Sequence, residues 1–420
     1  MTATEMSQHL CSLLTHLSQN PYPHVPNPES CKKRASVAVV LRIRPSYGHW
    51  PSATEPVSLD PSQPLAGQLE NFFAQPWVQN GDAEVVFIKR ATRVGDRWTG
   101  HVALPGGKRD PEDESDKATA IRETSEEIGL DLTSADALFV GNLPERVVST
   151  SWGKVPIMVL CPFVFLYTTP DIPPLKLQPT EVAAAHWVPL RVLLSPSVRT
   201  YEYVDTSDRF ARQGGFLVRS IIRSLLGRMR FSAIRLIPSE SLHCSSSAEF
   251  FPEVAHAEME PSLPSKLFRL CVGEHAASSE KTRPLLLWGL TLGIMADFLD
   301  QLPPHNAVKL WSYPTFTTLD TRFFINVFTA GLKKRNQARL QSGNQTAMDS
   351  ETEAVATSQG NEDSLGDGTK RNNASRSYAM GTMLEGYYDL ARRGVWAAIA
   401  ARLLGSLALI LYIVRRFRRR

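Results

Sequence analysis

Cysteine is scarce and scattered in this 420-residue chain: Cys11, Cys31, Cys161, Cys244 and Cys271 are odd in number and show no CxxC or Cys/His metal spacing. That excludes a disulfide framework and points to free thiols in a reducing compartment. Excess charge of one sign is also missing. Lys and Arg number 46 against 42 Asp and Glu, and part of the net +4 comes from the arginines of the last six residues. Such a balance gives no reason to infer a nucleic-acid partner. The first 35 residues have no basic region followed by an apolar run, so no signal peptide is expected. Arginine does not appear before Arg34, and Glu5 is present, which argues against a mitochondrial presequence. Long apolar runs are absent until the C-terminal end. Pro284–Ala296 is uncharged for thirteen residues, short of the roughly twenty that a bilayer needs, and is expected in a core.

What is present falls into blocks. Residues 1–35 read as a lead-in with a short helix near His9 to Leu17. Val37 to Ile43 reads as a buried strand, ended by Pro45. Residues 46–83, with several prolines and one helix expected near Leu65 to Phe73, read as an insertion. Glu84 to Arg90 is the next strand, and Arg97 to Gly107 runs as a strand into a glycine turn. Further strands are expected at 137–142, 155–167 and 183–189. A second insertion is expected over 206–282. There Phe216, Leu217, Ile221, Ile222, Leu225 and Leu226 alternate with Arg219, Arg223 and Arg228 at helical spacing, and Ser239 to Ala257 reads as a serine-rich loop. With Pro284–Ala296 closing the core, one domain covers 36–302 around these insertions.

A helical extension follows over 303–340, with Phe323, Phe324, Val327 and Phe328 on the apolar side of a helix from Asp320 to Arg339. Residues 341–376 are polar and free of aromatics, the composition of a disordered linker. In the final segment, 377–420, the stretch Val395–Val414 carries Arg402 as its single charge, between Arg392-Arg393 and Arg415-Arg416. At about 1.5 Å per residue its length matches a hydrocarbon core of about 30 Å. Arg402 costs about 2.5–3.5 kcal/mol near a bilayer centre, which flanking leucines offset and snorkelling relieves. A C-terminal membrane helix is therefore expected, with the remainder facing the cytosol. Basic residues on both flanks leave its orientation unset by charge, and mitochondrial outer, peroxisomal and endoplasmic reticulum membranes would all accommodate it.

One stretch carries the chemistry. Residues 106–114, Gly106-Gly107-Lys108-Arg109-Asp110-Pro111-Glu112-Asp113-Glu114, read as a glycine turn and an acidic loop. A helix follows to Ile128, with Ser115 or Asp116 as N-cap and Gly129 just past its end. On it Ala118, Ile121, Ser125 and Ile128 are expected to share one stripe, and Glu123, Glu126 and Glu127 the other side. Like charges at this spacing cost roughly 0.2–0.5 kcal/mol per pair. A divalent cation removes the repulsion, and hard oxygen donors suit Mg²⁺ or Mn²⁺, which commonly hold phosphates as well.

In register, Gly107, six residues, Glu114, seven residues and then Arg122-Glu123-Thr124-Ser125-Glu126-Glu127-Ile128-Gly129-Leu130 resemble the box of the Nudix hydrolases. The first gap is one residue longer than the usual five. That insertion, with Leu104-Pro105-Gly106-Gly107-Lys108-Arg109-Asp110 before it, is similar to the branch that includes coenzyme A diphosphatases. Trp288-Gly289-Leu290-Thr291 resembles the start of the family's last helix, and Glu181 to Leu190 its late strand. The resemblance covers roughly half of the chain.

It implies an α/β/α sandwich with a mixed sheet that cleaves a small-molecule diphosphate with Mg²⁺ or Mn²⁺. Glu123, Glu126 and Glu127 would ligate the metal, Glu114 would help through water, and the Gly107 carbonyl would complete a site. Arg122 would orient a glutamate through a bidentate pair. Glu126 or Glu123 would serve as general base, with Glu181 an alternative. Lys89, Arg90, Arg97 and Lys108 are expected at the substrate phosphates, and His101 is set aside because a diphosphate leaves without much need of protonation. The implied substrate is coenzyme A or an acyl derivative. The segment Arg97 to His101 departs from the pattern of better-known members of that branch. Two alternatives remain: a pyrophosphatase for ADP-ribose, NADH or another nucleoside diphosphate derivative, and an inactive membrane-tethered binding module. The intact carboxylates argue against the latter.

Overall fold

Side chains of Val37 to Leu41 alternate between two faces, and both are apolar, so this strand has to be covered on both sides. A computed structural model describes residues 2–51, 60–92, 99–149, 155–205, 225–244, 284–303, 311–356 and 379–419, with single positions 220, 223 and 305. The chain forms two units: Met1–Val148, Pro156–Thr200 and Ala233–Pro304 make the first, and Ser149–Val155, Tyr201–Ser232 and His305–Arg420 the second.

In the first unit β1 (Arg34–Arg44) lies inside a mixed sheet. It pairs antiparallel with β2 (Asp82–Arg90), through Leu41↔Val85, and parallel with a later strand, Pro156–Tyr167, through Val39↔Val164. Two short strands, β3 (Val102–Ala103) and β4 (Gly106–Lys108), pair with β2 and β1. Beyond them come β5 (Ala137–Asn142), β6 (Arg146–Ser149), β7 (Pro156–Tyr167) and β8 (Val182–Pro189). From one edge the order is Glu240–His243, β8, β2, β1, β7, β5. Glu240–His243 falls where a serine-rich loop was expected. The reason is local: Ser241 and Leu242 pair with His186 and Ala185, which completes an edge no residue-level pattern announces.

Helices cover both faces. On one, Ala38, Val40, Val86, Ile88, Phe165 and Trp187 pack with Ala120 and Ile128 of a helix over Asp116–Ile128. On the other, α1 (Ala3–Gln19) packs on β5 and β2 beside α2 (Leu65–Phe73) and α3 (Pro76–Gln79). Thr2 and Glu5 form a capping box at the start of α1. Leu10, Leu14 and Leu17 are fully buried, and at Gly141 a Cβ would come within 2.9 Å of the Leu17 carbonyl oxygen. The expected lead-in and the first expected insertion thus supply one layer of the sandwich. The apolar segment after Pro284 becomes the strand Leu286–Trp288 and the helix Gly289–Asp300, whose Leu292, Met295, Phe298 and Leu299 are buried. Asp297 of that helix is ion-paired with Arg146.

The second unit contains the helices Leu319–Ala356 and Tyr387–Arg418, which run antiparallel. Leu319–Ala356 extends past Leu340 into the segment expected as a linker, whose remainder, 357–376, lies outside the described residues. Asn336 donates to the carbonyls of Met383 and Glu385 at 3.2 Å, and Gly394 meets the Ile325 backbone, where a Cβ would stand 2.8 Å from its Cα. Val395 and Ala398 are buried in this pairing, whereas Leu403 to Val414 are exposed. Arg402 does not reach outward as expected: its guanidinium bonds Asp320 and the Leu225 carbonyl. Most of the basic amphipathic stretch around 216–228 lies outside the described residues.

Arg34, the first residue of β1, ties the first unit together. It is buried and donates to Asp116 and Glu145, each at 2.7 Å, to Asn27 at 2.8 Å and to the Val25 carbonyl at 2.9 Å. Removing one partner from a buried ion pair strands the other charge. Arg34→Met is accordingly expected to destabilise the first unit by about 3–5 kcal/mol, read by urea denaturation.

Candidate active site

The helix Asp116–Ile128, α4, has both ends fixed by sequence. Ser115 accepts at its side chain from the Ala118 amide at 3.1 Å, and Gly129 takes the left-handed conformation (φ 72°) while its amide bonds the Ser125 carbonyl at 2.9 Å. Its packed face differs from the expected one. Thr119, Ala120, Thr124, Glu127 and Ile128 are buried, while Ser125 is exposed and Ala118 and Ile121 are half-buried. The helix is rolled so that Glu127 faces inward. Polar residues can occupy that face because each is satisfied: the Thr124 hydroxyl donates to the Ala120 carbonyl at 2.7 Å, and Glu127 accepts from the Gly106 amide at 2.8 Å.

Space constrains both glycines of the turn, Gly106 against fixed backbone and Gly107 against the movable end of the Glu123 side chain. Gly106 has φ 145°, and a Cβ there would stand 2.2 Å from the Ser36 carbonyl oxygen. A Cβ at Gly107 would stand 2.4 Å from the carboxyl carbon of Glu123. The turn therefore lets one glutamate lie against backbone and hydrogen-bonds the next.

Charge is concentrated here. Burial raises the Glu123 carboxyl above its usual value, with Arg122 opposing and Glu126 and Glu181 adding to the rise. Burial also pushes Glu127 up to about 8; the Gly106 amide and Arg90 oppose this, while Glu123 and Glu181 add to it. The structure thus brings Glu123, Glu126, Glu127, Glu181 and Arg90 into one electrostatic neighbourhood, with Gly107 against Glu123.

Arg122 behaves differently from expectation. Its fork is bidentate to Asp113, at 2.9 and 3.0 Å, while Glu126 and Glu123 each take a single contact, at 2.9 and 3.1 Å. Arg122 in turn holds Asp113 well below the usual carboxylate range, helped by the Asp110 amide and the Thr119 hydroxyl. Arg109 clamps the same loop, donating to the carbonyls of Asp113 and Glu114 and to Asp116. Asp113 went unnoticed in the sequence, where nothing distinguishes it from the other acids of the loop.

Other expected residues sit further out. Glu114 is exposed, and among the described residues its recorded bond is through its carbonyl. Lys108 is exposed and offers its carbonyl to Arg122 at 3.3 Å. Lys89 pairs with Val102 on β3, and the Arg90 amide bonds the His101 carbonyl. Arg97 lies outside the described residues. The His101 ring packs on Trp288, with centroids 4.9 Å apart. A second group, His24, Asp116 and Glu145, places its potential ligand atoms within 4.8 Å of one another. Arg34 bonds all three, so that cluster already holds its cation.

A mixed sheet between helical layers, with a carboxylate-bearing helix behind a Gly-Gly turn, defines an α/β/α sandwich with an acidic cluster on one helix. Residues 76–205 match the NUDIX domain. A protein of Schizosaccharomyces pombe, itself uncharacterized, is 33% identical over 319 residues, 76% of this chain and 81% of that one. The chain belongs to the Nudix family and is a Nudix hydrolase. The peroxisomal coenzyme A diphosphatase of Mus musculus is 33% identical over 133 residues, 31% of this chain, and the chain spans about half (51%) of that enzyme's length. A solved Nudix hydrolase from M. smegmatis, RenU, matches at 16% identity with a TM-score of 0.23, covering 46% of this chain and 85% of that one. A likeness so slight adds nothing to the assignment.

The raised Glu127 has a consequence for stability. A carboxyl whose folded value (about 8) exceeds its ordinary value (4.5) binds a proton in the folded state that the unfolded chain has released. Stability of the metal-free protein is therefore expected to fall as pH rises from about 4.5 to about 8. In EDTA, the melting temperature of Glu127→Gln should fall less over this range than that of the wild type.

Proposed function

We propose that the chain hydrolyses the diphosphate of coenzyme A or its acyl derivatives, using a divalent cation at the α4 glutamates. The observation that carries the reading is the crowding of Glu123, Glu126, Glu127 and Glu181, with burial raising two of them. Oxygen donors that repel one another in a half-buried setting, beside a glycine that leaves Glu123 room, fit a hard cation such as Mg²⁺ or Mn²⁺. Glu123, Glu126 and Glu127 would hold it. When bound, such an ion neutralises phosphate oxygens as their charge grows.

The chain's own residues supply position. The Gly106 amide fixes one oxygen of Glu127. Asp113 fixes Arg122, which holds Glu126 and Glu123 in place. Glu126 is the most exposed of the three and the best placed to meet a water, so it is assigned as general base, with Glu123 and Glu181 completing the acidic surround. Arg90 would face the substrate phosphates; Lys89, Lys108 and Arg97 are assigned there on the sequence pattern, and Glu114 and the Gly107 carbonyl to the outer part of the metal site. Partial similarity to the mouse coenzyme A diphosphatase supports the choice of substrate. Full-length protein is expected to release adenosine 3′,5′-bisphosphate from coenzyme A with Mg²⁺ or Mn²⁺, and Glu126→Gln to lose about tenfold to a hundredfold in rate. Faster turnover of ADP-ribose in the same assay would give that substrate the assignment instead.

The helix Tyr387–Arg418 is long and apolar enough to cross a membrane. We assign its apolar part as a C-terminal anchor with the hydrolase on the cytosolic side; the buried Cys31 and Cys161, neither in a disulfide, agree with a reducing compartment. After alkaline carbonate extraction of cell membranes the protein should stay in the pellet, and its recovery in the supernatant would remove the anchor.

A further inference from the structure

The second unit contains a cavity of about 360 Å³ whose lining includes Arg230, Arg322, Lys333, Thr315, Trp311 and Tyr313. Its cations arrive from two elements. Arg230 lies on the strand Met229–Arg235, paired with Thr315, and its guanidinium stands 4.2 Å from the centre of the Tyr201 ring. Arg322 and Lys333 lie on the helix Leu319–Ala356, eleven residues apart, which returns a side chain to about the same face after roughly three turns. The Lys333 ammonium sits 5.0 Å from the Tyr313 ring centre and 5.7 Å from that of Tyr387, and donates to Asn326 at 3.1 Å. Burial lowers its proton affinity.

What the cavity lacks is negative charge. Among the described residues no carboxylate lines it. Four acids of this unit are engaged by other arginines: Asp320 by Arg402, Glu385 by Arg339, Asp389 by Arg392 and Asp205 by Arg223. Grouped cations without a counter-charge are costly to desolvate, and aromatic faces offset only part of that cost. A second observation is independent of charge. Thr315 is 8% exposed, and its hydroxyl has no hydrogen-bond partner among the described residues.

We propose that this cavity binds a phosphate-bearing anion. Two guanidinium forks and an ammonium match phosphate oxygens, the Thr315 hydroxyl gains an acceptor, and Trp311 and Tyr313 offer ring surface to whatever the phosphate carries. The phosphate has two possible sources, an anionic phospholipid headgroup or a soluble phosphate compound.

Calorimetric titration of the full-length protein, in neutral detergent with EDTA, separates them. One arm uses inorganic phosphate and the other a short-chain phosphatidic acid. Saturable single-site binding is expected in at least one arm. It should weaken by about tenfold or more in Arg322→Gln/Lys333→Gln, and weaken less in Arg322→Lys, which keeps the charge but loses the fork, than in Arg322→Gln. Tighter binding of the lipid assigns a headgroup; equal or tighter binding of inorganic phosphate assigns a soluble ligand. The single variant Arg322→Gln, at a half-buried position, repeats the test should the double variant fail to fold. No saturable binding in either arm would overturn the site. So would an affinity unmoved by these substitutions, or one abolished by Glu126→Gln, which would place the ligand at the α4 carboxylates.

Discussion

Burial of like charges against one another is the constraint on which the first unit depends. Carboxylates at i,i+4 on a solvated helix repel by only tenths of a kcal/mol, whereas charges in contact at the dielectric of a protein edge repel by about 4 kcal/mol. Helical spacing alone therefore gives a weak attraction for cations. The strong one comes from rolling α4 inward, which takes Glu127 out of water and raises it to about 8. The fold holds that unfavourable arrangement through contacts that do not titrate near neutrality: a backbone amide on Glu127, and glycine backbone beside Glu123.

Arginines brace the loop and helix that carry these acids. Arg34 pins Asp116, the first residue of α4, to the start of β1; Arg122, from within α4, pins Asp113 in the loop before it; Arg109 links Asp116 to the loop carbonyls. None of these acids belongs to the crowded group. Their pairing leaves Glu123 and Glu126 with single contacts to one guanidinium, and Glu127 with a backbone amide. Charge is balanced in the scaffold and left unbalanced where the proposed cation would sit, which is how preorganised sites differ from ordinary acidic surfaces.

Much of this was legible in the sequence, and the limits are physical. Strand 137–142 and helix 65–73 lie where apolar pattern and turn residues put them, and the caps of α4 are the residues that chemistry prefers. The rotation of α4 was not legible, because its inward face carries Thr119, Thr124 and Glu127 while Ile121 stands only half-buried at the edge of the core. A hydrophobic count favours the wrong stripe when buried polar groups are all satisfied. The Asp113–Arg122 fork depends on the path of a loop, which spacing does not encode. The strand Glu240–His243 exists because β8 offers it an edge, so its cause is not local. Likewise α1 reads as a marginal helix, yet it is fixed by packing on β5 and β2.

The C-terminal helix shows the same override of local pattern by packing. By composition the apolar stretch begins at Val395, but Val395 and Ala398 are buried against the helix Leu319–Ala356, and exposed apolar side chains begin in earnest at Leu403. From Leu403 to Val414 is twelve residues, about 18 Å of helix against a hydrocarbon layer of about 30 Å. A helix anchored in such a layer draws its packed base toward the lipid. That base is suited to the position: Leu319, Phe323, Val327 and Trp396 are exposed there, and the one charge that a lone helix would have to carry inward, Arg402, is already matched by Asp320. With the anchor proposed above, the pair would turn an insertion cost borne by a single arginine into one shared by two helices, which would let the charge sit within an otherwise apolar stretch.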